Sequence, residues 1–325
     1  MAKPNAFQHV FNQPTADVVL RSSDKVDFKV HKIILSDASP VFSSMFALPL
    51  PSQDEDMCDG LHKVQMAEPA DAIHALLGVL YPGKGPRVSN TDCAALVLQL
   101  ADKYAMDGVT KHVRSLLGDP GFLRDEWSVL HVYALSRKYG FADLAEAAAR
   151  ESLQYPFQRH GMSGLHVMTG ADYHELLAFR EACAGLIDEY LLELRPCGWL
   201  ELWELLTTVW GDGDDDERLE CNRSRLRQRK AQILELINCP EGNGHHHVLW
   251  FQLHFCRQQK AYKQSVCGKS VTSRRLLDEA INGMDCKECI KWLPMQLIEF
   301  NDRLGRMLDD DIQQVKFSKF IAQRS

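Results

Sequence analysis

The sequence predicts an α+β fold in which a small sheet flanked by helices is followed by a mostly α-helical C-terminal region. Two short β-prone runs, 17–20 (DVVL) and 26–30 (VDFKV), are separated by a polar turn and indicate a hairpin. From about residue 125 onward, apolar residues recur at helical spacing. A length of 325 residues corresponds to about two domains.

The composition is typical of a soluble globular protein. Lys and Arg number 37 against 44 Asp and Glu, which gives a net charge of -7, and 45% of the residues are apolar. This balance argues against collagen-like, wholly disordered and membrane classes, and no apolar run approaches the ~18 residues of a membrane helix. Because net acidic chains are not typical of nucleic-acid binders, we expect neither nucleic acid nor a membrane as a partner.

The cysteines and the chain start bear on location. Ten cysteines are too few for a disulfide scaffold, and residues 1–13 contain no apolar stretch of the kind found in a signal peptide. We therefore expect a cytoplasmic or nuclear protein with mostly reduced thiols.

Charged residues and cysteines are unevenly distributed along the chain. Residues 1–120 carry a net charge of -3, residues 121–235 carry -7, and residues 236–325 carry +3. Five of the ten cysteines follow residue 238. This asymmetry supports a separate C-terminal unit.

Turn and capping residues divide the first third into short elements. Pro40 interrupts a helical pattern over 31–47, so two short helices are predicted, with Ser39 capping the second. Residues 47–60 predict a polar, acidic loop. The further predicted elements are a strand at 62–66 and helices at 69–81, about 92–105 and 109–117.

The remainder predicts helices separated by polar breaks. They are placed at about 126–139, 141–152, 171–194, 218–238, 248–264, 272–282 and 292–315, with an aromatic-rich segment at 199–210. The predicted organisation is an N-terminal segment (1–14), the α+β domain (15–118), a helical extension (121–210), an acidic loop (211–217) and a helical region with Cys and His (218–325).

Several motifs occur in the order found in one known domain. They are 17–20 (DVVL), 28–35 (FKVHKIIL), 39–46 (SPVFSSMF), 64–66 (VQM), 73–81 (IHALLGVLY) and 101–106 (ADKYAM). Together they closely resemble a BTB/POZ domain over residues 15–118. Residues 131–153 resemble the helical extension that often follows this domain, and the whole chain resembles fungal BTB-domain proteins with a helical C-terminus.

The resemblance implies protein association without catalysis. Some family members homodimerise through the N-terminal strand and first helix, and others dock a cullin-type ubiquitin-ligase scaffold as substrate adaptors. Asp17 and Lys32 match the positions of a charged pocket in members that dimerise and bind peptides. The alternative for Asp17 is a hydrogen bond to backbone, or to Lys32, within one subunit.

Three other side chains are interaction candidates in the first third. His31 invites a catalytic interpretation because histidine titrates near neutral pH, but a buried, hydrogen-bonded structural role is the favoured alternative. Phe7 and Phe11 precede the first strand, and they predict either an N-terminal dimerisation segment or a cap on the core.

The C-terminal region contains candidate zinc ligands. Cys286 and Cys289 form a CxxC pair, and His254 and Cys256 lie upstream. The 29 residues between Cys256 and Cys286 exceed the usual finger spacing, so buried thiols are the favoured alternative. No cofactor or metal is expected.

No enzyme signature is present, since the sequence lacks GxSxG, P-loop, GxGxxG and HExxH motifs. The acidic run Asp212-x-Asp214-x-Asp216 lacks the glycine and glutamate that a calcium loop requires. The sequence predicts a non-enzymatic module acting by homodimerisation, partner docking or both. The alternatives are a cullin adaptor, a transcriptional regulator and a zinc-binding protein.

Overall fold

The computed structural model describes residues 11–48, 57–81, 83, 87–156, 167–193, 245–283 and 287–321. The chain divides into two compact units, one of residues 1–149 and 162–168 and the other of residues 150–161 and 169–325. Within the described ranges, no helix combines the length and the apolar character that a membrane crossing requires.

Four strands and twelve α-helices lie in the described residues. The strands are β1 (Val18–Arg21), β2 (Asp27–Val30), β3 (Met57–Cys58) and β4 (Leu61–Gln65). The helices before residue 194 are α1 (Lys32–Ala38), α2 (Pro40–Ala47), α3 (Ala70–Leu80), α4 (Thr91–Lys103), α5 (Asp107–Leu117), α6 (Glu126–Lys138), α7 (Ala142–Ser152) and α8 (Gly170–Glu193). The later helices are α9 (His245–Gln264), α10 (Gly268–Val271), α11 (Arg274–Asn282) and α12 (Lys287–Gln314). Short 3₁₀ turns occupy Pro120–Phe122 and Phe317–Lys319.

The sheet is small and mixed, with strand order β2-β1-β4-β3. Strand β1 pairs antiparallel with β2 and parallel with β4, so the predicted hairpin and third strand are confirmed. The predicted polar loop 47–60 is wrong at its end, because β3 pairs antiparallel with β4 there. Asp59 and Gly60 both have positive φ, at 50° and 77°. An Asp-Gly pair in this conformation makes the tight turn that a two-residue hairpin needs.

The core of the first unit lies between the sheet and the helices. One face of β1 and β2 contributes Val18, Leu20, Phe28 and Val30, all buried. The Phe42 ring of α2 stacks on Tyr104 at the end of α4, with ring centroids 4.8 Å apart. Burial of each large apolar side chain stabilises the unit by about 1.5–3 kcal/mol.

The break between α1 and α2 is confirmed at Ser39 and Pro40. The Ser39 hydroxyl accepts a hydrogen bond from the Phe42 amide at 3.1 Å, which caps α2, and Pro40 occupies its first position. The same hydroxyl donates to the carbonyl of Tyr104 at 2.5 Å. A single buried side chain therefore starts one helix and ties it to the end of another.

Helix α6 packs against α4 within the first unit. Asp125 and Ser128 form a capping box at the start of α6. His131 then places its Nδ1 atom 2.9 Å from the Thr91 hydroxyl at the start of α4. The compact unit therefore includes α6 and reaches residue 149, beyond the stretch at 15–118 that resembles a BTB/POZ domain.

The second unit is built from helices. Its buried apolar residues include Leu176, Phe179, Ile187, Phe255, Tyr262, Leu276, Leu297, Leu304 and Leu308. Gly268 of α10 and Gly305 of α12 meet so closely that a Cβ on Gly268 would lie 2.2 Å from the Gly305 carbonyl oxygen. The sequence pattern did not predict α10, and it started α12 five residues late. The predicted segments at 199–210, 211–217 and 218–238 lie outside the described residues.

Candidate interaction surface

The Asp17 side chain contacts the backbone of Lys32. The Asp17 carboxylate accepts a hydrogen bond from the Lys32 amide at 2.7 Å. His31 is the N-cap residue of α1 and makes no side-chain cap, so Asp17, the residue before β1, supplies the missing acceptor. The Lys32 ammonium instead lies 5.7 Å from the centroid of the Phe46 ring. This arrangement is the intrasubunit backbone hydrogen bond named as the alternative for Asp17.

His31 joins the start of α1 to the end of α3. Its backbone amide donates to the Tyr81 hydroxyl at 2.9 Å, and its Nδ1 atom lies 3.2 Å from the same oxygen. Its Nε2 atom lies 2.9 Å from the Thr15 hydroxyl. Burial raises the pKa of the Tyr81 phenol, which therefore stays protonated at neutral pH. These contacts give His31 a structural role in holding α1 and α3 together.

Phe11 is part of the core of its own chain. Only 1% of the residue is exposed, and its ring meets His74 and Tyr81 edge-on with centroids 5.6 Å away in each case. The backbone around it continues the sheet, since Lys29 of β2 donates its amide to the Phe11 carbonyl at 2.9 Å. Phe11 thus caps the core, and Phe7 lies outside the described residues.

Sequence reasoning missed three exposed apolar residues at α1 and α2. Ile33 on α1 is 75% exposed, Val41 on α2 is 38% exposed, and Leu48, the C-cap residue of α2, is 67% exposed. A signal was present in the run Ile33-Ile34-Leu35, because three consecutive residues cannot all face the core from one helix. Leu35 is buried, and Ile33 lies two residues before it, on the opposite side of α1.

These three residues define what we call the α1–α2 surface. Val41 and Leu48 are seven residues apart, two helical turns, so they lie on one side of α2. The Lys32 ammonium over Phe46 places the start of α1 beside the end of α2, which brings Ile33 to the same end as Leu48. Exposed apolar side chains that cluster on a folded surface mark a site of association.

Four of the described cysteines have thiols that burial keeps protonated. Burial raises the pKa of the thiols of Cys58, Cys93 and Cys267, and it raises the pKa of Cys183 to about 11. These thiols are protonated at neutral pH, whereas a nucleophilic cysteine requires the thiolate.

The residues proposed for zinc are only partly described, and those that are do not converge. His254 of α9 is buried, with Nε2 3.2 Å from the Asn301 side-chain oxygen, and burial lowers its pKa. Cys256 is two residues further along the same helix and is exposed, so it points to another side. Cys286 and the side chain of Cys289 lie outside the described part of the chain, so the zinc site stays a prediction.

Comparison with known proteins places the first unit in a family context. A model of the BTB/POZ domain matches residues 7–119. The mouse TD and POZ domain-containing protein 3 is 33% identical over 85 residues, which cover 26% of this chain and 21% of that protein. The mouse TD and POZ domain-containing protein 5 is 31% identical over 83 residues, 26% of this chain and 23% of that protein.

The aligned stretch spans about a fifth of the length of these curated relatives. The predicted fungal type of the chain stays a prediction. The mixed sheet flanked by helices, the helical C-terminal region and the matched residues agree with the predicted fold class. Residues 7–119 form a BTB/POZ domain, a module that generally mediates protein–protein interaction.

Proposed function

We propose that this chain is a non-enzymatic interaction protein whose BTB/POZ domains associate in pairs through the α1–α2 surface. The observation that carries the proposal is the 75% exposure of Ile33 on α1, together with the exposure of Val41 and Leu48 at the neighbouring α2. Burial of these side chains against a second chain lowers the free energy of the assembly, because each Å² of apolar surface removed from water contributes about 25 cal/mol.

A two-fold symmetric dimer would bury this surface on both copies. In a symmetric dimer both copies contribute the same patch, so each apolar contact occurs twice in the interface. A stable interface buries about 1,200–2,000 Å² in total and places its apolar residues at the centre. Three exposed apolar residues on two adjacent helices supply such a centre, and the polar residues around them supply the rim.

The test is the molar mass of the full chain by light scattering after size-exclusion chromatography. We expect a dimer for the wild type and a monomer for Ile33→Glu, since a charge would replace the centre of the interface. Met57→Glu is the matched control, because Met57 is 48% exposed on β3, outside the α1–α2 surface. Even a weak dimer, with a dissociation constant of about 1 µM, would form at a chain concentration of about 100 µM. A wild type that stays monomeric at that concentration therefore rules out this dimer.

The same preparation separates the alternative partners. Co-purification of a monomeric chain with a cullin-type scaffold, lost in Val41→Asp, would favour the adaptor function over self-association. Salt-sensitive retention on DNA would favour a transcriptional regulator. We also propose a cytoplasmic or nuclear location, which the free thiols of the described cysteines support.

A further inference from the structure

Helix α1 carries two charges beside Ile33 that lack an ionic partner among the described residues. The Lys32 ammonium lies over the Phe46 ring, and the Asp17 carboxylate accepts a hydrogen bond from the Lys32 backbone amide. Asp37 is exposed, one helical turn after Ile33, and makes no hydrogen bond or ion pair within the described ranges. Lys32 and Asp37 are five residues apart, a spacing at which side chains on one helix do not face each other.

We propose that a second copy of the chain supplies both partners, so that Lys32 of each copy pairs with Asp37 of the partner subunit. This inference rests on the proposed dimer and specifies what makes the α1–α2 surface select another copy of itself. A two-fold axis repeats every contact, so the pair occurs twice in the dimer.

The charge pattern fits a self-complementary patch. A surface that meets its own copy is repelled if it carries charges of one sign, and it is matched if it carries one of each. Lys32 and Asp37 lie on either side of Ile33 in the sequence, and both belong to the seven-residue helix α1. Charged pairs at the rim of an apolar centre add specificity for the correct partner.

A charge exchange between two variants tests the pairing. Lys32→Glu and Asp37→Lys each put two like-charged contacts into their own homodimer, so each homodimer should dissociate roughly 10- to 100-fold more readily than the wild type. A mixture of the two variants re-creates both opposite-charge pairs in a heterodimer. We expect the mixture to recover dimerisation to within about three-fold of the wild type.

Both substitutions suit the helix on which they lie, so loss of dimer would not reflect loss of α1. Glutamate is favourable in the first turn of a helix and lysine in the last, because each opposes the helix dipole. Lys111→Glu is the matched control: Lys111 is an exposed lysine on α5, and its reversal should leave the dissociation constant within about three-fold. The readout is sedimentation velocity of each variant alone and of the equimolar mixture.

The outcomes distinguish this inference from the dimer on which it rests. A monomeric wild type overturns both. A wild-type dimer that Ile33→Glu disperses, but that both charge reversals leave intact, overturns the pairing alone. Reversals that weaken the dimer without recovery in the mixture also overturn it, since the charges would then act on some other contact.

Discussion

Removing the Ser39 hydroxyl should destabilise the first unit far more than the loss of an ordinary helix cap. Ser39 is fully buried, and its one hydroxyl accepts from the Phe42 amide and donates to the Tyr104 carbonyl. In Ser39→Ala both groups lose their partner. Neither regains a hydrogen bond from solvent, because the position is closed to water.

The magnitude follows from these two contacts. Loss of a serine cap costs about 1 kcal/mol, within a range of roughly 0.5–2 kcal/mol. A buried carbonyl left without its donor costs a further 1–3 kcal/mol or so. We therefore expect Ser39→Ala to lower the free energy of unfolding of the first unit by about 2–4 kcal/mol.

Hydrogen exchange of the full chain, followed by mass spectrometry, measures this loss locally. The slowest amides of β1 report global opening of the first unit, and their protection should fall by the stated amount. Asn90→Ala is the control, because Asn90 caps α4 by accepting from the Cys93 amide at 2.8 Å in an exposed position. It should cost about 1 kcal/mol. Equal losses in the two variants would refute the idea that Ser39 links two helices.

Two further predictions concern the second unit. Gly268→Ala should destabilise it by about 1–3 kcal/mol, since the new Cβ would lie 2.2 Å from the Gly305 oxygen. Gly185→Ala is the control, because Gly185 lies on an open side of α8, and it should be neutral or stabilising. Chemical denaturation of both variants measures the two changes in the free energy of unfolding. Burial lowers the pKa of His254 from its ordinary value of 6.5. The His254 imidazole therefore binds a proton more readily in the unfolded chain than in the folded chain. Stability of α9 to exchange should therefore fall as the pH drops below 6.5. His254→Gln should lose this dependence, and an unchanged profile would exclude His254 as its cause.

Local rules predicted those parts of the fold that are encoded locally. The hairpin of β1 and β2 follows from two β-prone runs and the polar turn between them, and the break at Pro40 follows from the missing amide and a serine cap. Strand β3 was missed because two residues give no periodicity, although Asp59-Gly60 is a strong turn signal. The Ser39 contact with Tyr104 joins residues 65 positions apart, and such a distance lies beyond any local pattern.

The candidate surface was less predictable for a similar reason. The resemblance directed attention to Asp17, Lys32 and Phe11, but burial depends on which side of each element meets its neighbours. The structure places Phe11 in the core and leaves Ile33 exposed. Helical periodicity alone treats Ile33 and Ile34 as equivalent candidates for the core, and only the packing of α1 separates them.

The most direct test of self-association through the α1–α2 surface is carbene footprinting of the full chain across a concentration series. Ile33 should label strongly when the chain is dilute, as its 75% exposure requires. Its labelling should fall several-fold as the molar mass doubles, while labelling of Met57 stays constant. Labelling of Ile33 that stays unchanged when the mass has doubled would show that the chains associate through another surface.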